Sequence, residues 1–274
     1  MYSGTTFTKM SGRVMGTHQK IDRIARHNLT KMLGSDVAFP TSGKILHFEG
    51  KNGPDAIKRK SPAKDEPWHY FDPFDDKDSG LVDIIIDHYN LLVKQLKQGN
   101  KERAAFEAAW LAHAITDGLT PAHHYPYEKK LIELRGGEGI ETRTSIKDKL
   151  LMPGNTKREM MKNNWKMWGP KGLLTTHSMF EAGVVTLLAP LKFVNACPSA
   201  ADIENMQKTG IIQLFKHTAR EVASMKMYDR FYKQGWTTKL TVEVQKDLIP
   251  TIIRTVTLAW YSALVDAGLA DSDS

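Results

Sequence analysis

The densest run of reactive side chains lies at positions 111–124, L-A-H-A-I-T-D-G-L-T-P-A-H-H. His113 and Asp117 are four residues apart. Four helical residues turn through about 400°, so both side chains lie on one face a turn apart, a bidentate arrangement for a divalent cation. Pro121 cannot donate to the carbonyl of Asp117, so the helix is expected to kink or end just beyond it. The freed chain can then swing His123 back toward a second cation. His177 and Glu181, in T-T-H-S-M-F-E-A-G-V, repeat the four-residue spacing on an apolar helix. His69 stands in W-H-Y-F-D-P, Asp55 precedes it by fourteen residues, and His18 opens the first helical pattern. One such pair arises often by chance, and a lone His such as His18 or His69 is more often a satisfied core or surface residue. Two pairs followed by Pro-x-His carry more weight. Carboxylates on apolar faces are costly to bury unpaired, and metal coordination makes that arrangement favourable.

A polynuclear metal centre suits phosphodiester hydrolysis. Water held between two cations loses a proton near neutral pH and attacks phosphorus in line, while the cations neutralise charge on the other oxygens. Asp55 is a candidate for orienting or deprotonating that water and equally for ligating a metal. The single cysteine, Cys197, excludes an intrachain disulfide framework and a Cys-rich metal site. The ligands must therefore be His and carboxylates, a donor set that suits zinc ahead of manganese or iron.

The elements that must carry these residues read as helices. Helical spacing is expected at 15–33, with Gly34 as its stop, and at 81–96, 101–116, 174–191, 201–232 and 238–267. Asn100 is a sensible cap between the second and third. Ala104, Ala108, Ala109 and Ala112 precede the first motif and would let other helices approach closely. Proline-rich residues 35–80 are expected to form a long irregular loop, and 125–172 a basic insertion carrying Trp165 and Trp168. The insertion reads equally as a lid or surface for anionic substrates and as a solvated helical decoration with two partly buried Trp. No strand alternation and no repeat of solenoid period is present. The expectation is one all-α domain over 1–274 with long active-site loops. The 274 residues, 41% hydrophobic and 25% charged, exclude collagen-like and wholly disordered chains. A net charge of +7 favours anionic partners: nucleic acid, anionic lipid or phosphorylated small molecules.

Three motifs together resemble the zinc-dependent phospholipase C family, whose relatives include zinc-dependent single-strand nucleases. They are H-x-x-x-D-x-x-x-P-x-H from His113 through Asp117 and Pro121 to His123, H-[YF]-[YF]-D-P from His69 to Pro73, and H-S-x-[FY]-E from His177 to Glu181. The resemblance implies two or three zinc ions. His69, His113 and Asp117 look like ligands of the first, with the family's loop aspartate falling on Asp55. His123, His177 and Glu181 look like those of the second. Asp117 would also bridge to a third, with His18 as partner. In the family an N-terminal tryptophan completes that third site, and no tryptophan precedes His18 here. Asp22 could stand in for it, although an ordinary surface aspartate is the reading expected. His123 and His177 lie 54 positions apart, much farther than in the compact phospholipases.

The expected activity is zinc-dependent phosphodiester hydrolysis of phospholipase C type, and Glu181 favours that branch because the resembling nucleases more often carry Asp there. A nuclease on single strands and a non-catalytic, zinc-stapled binding protein are the alternatives. The expected partner is an anionic phosphodiester, either a phospholipid head group or single-stranded nucleic acid, with peripheral membrane contact as a further expectation. Nothing in the sequence points to a protein partner. The first twelve residues carry no apolar core of secretory length, so a cytoplasmic location is expected, with secretion by an unrecognised route left open. His124 is a candidate for substrate or ligand contact, and His27, His47, His88 and His217 are expected to be ordinary. The basic run Lys58, Arg59, Lys60 is expected to face water.

Overall fold

A computed structural model describes residues 16–50, 52–60, 68–193 and 195–271. Every regular element among them is helical: α1 (Thr17–Leu33), α2 (Ser42–Glu49), α3 (Pro54–Lys60), α4 (Gly80–Lys97), α5 (Lys101–Gly118), a 3-10 turn (Pro121–His124), α6 (Tyr127–Leu134), α7 (Ile146–Leu150), α8 (Lys157–Trp168), α9 (Leu173–Leu188), α10 (Ala200–Thr209), α11 (Ile211–Ser224), α12 (Met227–Gln234), α13 (Thr238–Glu243) and α14 (Ile249–Asp266). The chain is all-α, as its periodicity predicts.

Helix α5 lies at the centre, packed by α1, α2, α4 and α14. Its position follows from its composition. Ala104, Ala105, Ala108, Ala109 and Ala112 are all buried, and with only a methyl group to accommodate, neighbouring helices come close on several sides at once. One such approach is measurable: the fully buried Trp260 of α14 donates its indole N–H to the Ala108 carbonyl at 3.1 Å. The Asn100 side chain caps α5 by accepting from the Arg103 amide at 3.2 Å. At the other end the helix stops at Gly118, before Pro121, and the chain enters the 3-10 turn.

The described residues of 35–80 are not irregular throughout, contrary to the single long loop expected. They contain α2 and α3, and Asp55 sits in the first turn of α3 rather than in a loop. An eight-residue helix is marginal in isolation. Helix α2 forms because Ile45, Leu46 and Glu49 share a face that is buried against α5, a tertiary effect that local composition conceals. The block expected at 201–232 is three helices, broken where Gly210 and Lys226 take left-handed backbone angles (φ 77° and 51°). From Thr238 to Asp266 the chain is nearly continuous helix, with one π turn at Val244–Leu248. Pro250 follows at once; it has no amide to offer the Lys246 carbonyl, and a widened turn relieves the clash of its ring. By length and composition this helix is apolar enough to cross a membrane, but 72% of its apolar stretch is buried inside the fold, as for a core helix.

The insertion 125–172 has a small core of its own, Tyr127, Leu131, Met152 and Met167, joined to the rest through Tyr70 and Tyr125. Trp165 and Trp168 do not belong to it. They are 69% and 41% exposed, which favours the reading of the insertion as a surface over that of a decoration with two partly buried tryptophans.

Closeness around α5 has a mutational consequence. A Cβ at Gly118 would stand 2.5 Å from the Phe215 ring and 2.9 Å from a Leu81 methyl. Gly118→Ala is expected to lower stability by about 1–3 kcal/mol through overpacking, read by urea denaturation. An unchanged midpoint would contradict the packing described.

Candidate metal centre

Asp117, 1% exposed in the last turn of α5, is the point on which the candidate site converges. One of its oxygens, Oδ2, lies 2.5 Å from His69 Nδ1 and 3.2 Å from His113 Nε2. The other, Oδ1, lies 3.2 Å from His18 Nε2 and 3.7 Å from His123 Nε2. Four imidazoles from four segments therefore share one carboxylate. Each arrives by a local route. His113 is one turn earlier on α5, His18 sits in the first turn of α1 with its ring stacked on His113 at 4.1 Å, and the 3-10 turn carries His123. The stretch 68–73 is pinned beside that turn by two bonds, the Phe71 amide donating to the His123 carbonyl (3.1 Å) and His123 Nδ1 donating to the His69 carbonyl (2.6 Å). On α9, His177 and Glu181 face the same space; Glu181 Oε1 lies 2.9 Å from His177 Nε2 and 3.1 Å from His123 Nε2.

All eight residues singled out from the sequence fall in this bowl. They form three groups whose ligand atoms lie within 4.8 Å of one another: His18, His113 and Asp117; Asp55, His69 and His113; His123, His177 and Glu181. His113 belongs to two groups, which spacing alone did not specify. The side chains are buried except on one side, where Asp55 is 28% and Glu181 17% exposed, so these two mark the opening.

Orientation of the rings agrees with a metal-binding role. His113 Nδ1 donates to Glu49 Oε1 at 3.0 Å, and His123 Nδ1 is committed to the His69 carbonyl, which leaves Nε2 of both rings directed into the bowl. A ligating histidine characteristically commits its other nitrogen in this way. His18 is buried with neither ring nitrogen in a hydrogen bond, and Glu49 Oε2 is likewise buried without one. Such groups are costly to leave in a protein interior, and a cation within reach of His18 offsets that cost. The donor set, imidazole nitrogen and carboxylate oxygen without thiolate, fits zinc.

Electrostatics set the two rings apart. Burial pushes the His123 imidazole down to about 4, so at neutral pH it is uncharged and its lone pair is available. Burial would raise the pKa of Asp117, but the neighbouring imidazoles, His113 among them, hold it well below the usual carboxylate range. Asp55 is lowered in the same manner, with burial outweighed by His113 and His69. For His113, burial would lower the pKa, but the Glu49 and Asp117 carboxylates outweigh it and hold the ring well above its ordinary value. Asp55 and Asp117 thus stay ionised in a dry site, with part of the compensating charge carried by the His113 ring.

Two site residues were not singled out correctly in the sequence. Glu49 is signalled in the sequence only as an acid in L-H-F-E-G, one turn after Ile45 on the apolar face of α2. Asp22, expected on the surface, is 2% exposed, and burial together with the Glu49 charge raises its pKa well above the ordinary value. It joins none of the three groups. Tyr70, from the His69 motif, stacks on His123 (5.3 Å) and on Tyr127 of the insertion (5.0 Å), so it walls the group on α9 and ties the insertion to the site. His124 turns away, with Nε2 donating to the Gly118 carbonyl at 2.8 Å. His47 contacts Asn52 and His217 pairs with Glu221 at the surface, while the side chains of Lys58, Arg59 and Lys60 lie outside those described. No family model, curated protein or solved structure matches this chain.

Two outcomes follow. Glu49→Gln should leave the fold intact by circular dichroism and weaken metal affinity by about 10–100-fold, read by competition with a chelating dye; unchanged affinity would show that the Glu49 contact does not orient His113. Burial lowers His124 to about 4 in the folded chain, whereas the unfolded chain protonates it near 6.5. Between those values the unfolded state binds the extra proton, so stability is lost as pH falls. Relative to His124→Gln, the wild type should lose up to about 2 kcal/mol more between pH 6.5 and 5 in urea titrations. Parallel losses in the two proteins would refute the assignment.

Proposed function

We propose that the chain is a phosphodiester hydrolase of phospholipase C type that works with two or three zinc ions. The observation that carries this reading is the division of Asp117 between its two oxygens, one facing His69 and His113, the other His18 and His123, with the His177–Glu181 pair adjoining. One carboxylate so shared suits ions set side by side rather than a single structural ion. His69, His113, Asp55 and Asp117 would hold one, His123, His177 and Glu181 another, and His18 with Asp117 the third. Bound there, the cations supply Lewis acidity toward the phosphoryl oxygens and lower the pKa of water.

The protein's own residues account for the rest. Asp55 is ionised and stands at the opening, so it can accept a proton from water or hold that water in line with an entering phosphate. Its nearest imidazole nitrogen, His113 Nε2, lies 3.9 Å away, which leaves the carboxylate able to turn toward solvent. Tyr70 stacks on His123, and the next residue, Phe71, is 4% exposed and packs against Phe215, which anchors the His69 motif in the core. The net charge of +7 favours approach of an anionic phosphodiester, and Glu181 at the end of the α9 pair supports the lipid branch of the resemblance.

The test is metal content by mass spectrometry together with turnover of a soluble chromogenic phosphodiester. We expect about two or more zinc ions per chain, reduced in His113→Ala. Asp55→Asn should keep most of the metal and lose about 10²–10⁴-fold in kcat. Zinc-free protein, or loaded protein inert toward every phosphodiester, would overturn the reading.

A further inference from the structure

The outward face of α8 has an unusual composition for a surface in contact with water. Met161, Trp165 and Trp168 lie one turn apart along it and are 71%, 69% and 41% exposed. Beside them Leu150 and Leu151 are each 48% exposed, and the Trp168 indole N–H donates to the Leu150 carbonyl at 2.7 Å, which joins the two segments into one patch. This exposure is not the result of looseness. On the inner side Met167 is buried, and the Asn164 amide is bonded to both the amide and the carbonyl of Met152 (3.1 and 2.9 Å). The Trp165 ring lies directly over Gly169, where a Cβ would be 3.1 Å from it. The aromatic and aliphatic groups are held outward on a firm base.

Charge accompanies the apolar stripe. Between 157 and 171 stand Lys157, Arg158, Lys162, Lys166 and Lys171 against one acid, Glu159, which is occupied in accepting from the Asn155 amide at 2.9 Å. Helix α8 packs on α9, which carries His177 and Glu181. Lys166 and Lys171 also line a cavity of about 270 Å³ that reaches Thr176, the neighbour of His177.

We propose that α8 and Leu150–Leu151 form a docking surface for an anionic phospholipid bilayer. Tryptophan, methionine and leucine on one helical face, flanked by lysines, match the boundary between headgroups and acyl chains. The apolar groups enter that boundary, and the ammonium groups reach the phosphates. Single-stranded nucleic acid fits less well. It needs a basic groove with successive stacking platforms, whereas this face is a convex helix on which Met161 and the two leucines stack nothing. The inference is separate from the hydrolase reading, since it concerns adhesion and not turnover.

The test is co-sedimentation with vesicles of phosphatidylcholine alone and of phosphatidylcholine with phosphatidylglycerol, backed by tryptophan fluorescence. Wild type should bind the mixed vesicles with a blue shift and bind the neutral ones weakly. Trp165→Ser should weaken binding by about tenfold or more, and Lys162→Glu with Lys166→Glu should remove the preference for anionic lipid. All three side chains are exposed, so circular dichroism should be unchanged. Absence of vesicle binding, binding indifferent to these substitutions, or binding of an oligothymidine in place of vesicles would each overturn the proposal. Hydrolysis of the soluble phosphodiester, measured in parallel without lipid, separates the two readings. A chain that hydrolyses it but ignores vesicles loses only the docking surface, and one that binds vesicles but hydrolyses nothing loses only the hydrolase.

Discussion

A carboxylate taken out of water must be given positive charge or it will not stay ionised, and the architecture around Asp117 follows from that requirement. The residue is held in the most buried helix of the protein. His18, His69, His113 and His123 gather around it from α1, the 68–73 stretch, α5 and the 3-10 turn. Protons on those rings can supply part of the charge. Two of the rings, however, have one nitrogen committed to an acceptor and the other turned inward, the disposition of ligands rather than of a salt-bridge network.

The scaffold makes this convergence rigid. Alanines along α5 let α1, α2, α4 and α14 approach closely, and α2 brings Glu49 against His113. On the far side Tyr70 lies between His123 and Tyr127, so the inserted 125–172 segment is anchored to the site by an aromatic stack. The same segment presents its tryptophans and lysines outward. Site and surface are therefore two faces of one structural unit, joined through α8 and α9.

Much of this was legible in the sequence because the ligands obey local geometry. The four-residue spacings of His113 with Asp117 and of His177 with Glu181 need only a helix, and Pro121 announces the turn that brings His123 back. The stop at Gly34 and the cap at Asn100 are equally local. What escaped depends on tertiary burial. Helix α2 is too short, at eight residues, to declare itself by periodicity, and Glu49 is hidden with it. Asp22 reads as a surface residue unless one knows that α2 covers it. The breaks at Gly210 and Lys226 lie within continuous helical periodicity, and a left-handed lysine leaves no signal in composition. Exposure of Trp165 and Trp168 runs against the usual fate of large aromatics, and the sequence leaves it open as one of two equal readings of the insertion.

The most direct test of the central claim is a crystal structure with data collected on both sides of the zinc absorption edge. The account predicts at least two anomalous peaks, one on each side of the Asp117 carboxylate, at about 2.0–2.2 Å from the imidazole nitrogens and carboxylate oxygens named above. A bowl without such peaks, in which protonated imidazoles bond directly to Asp117 and Glu181, would contradict it.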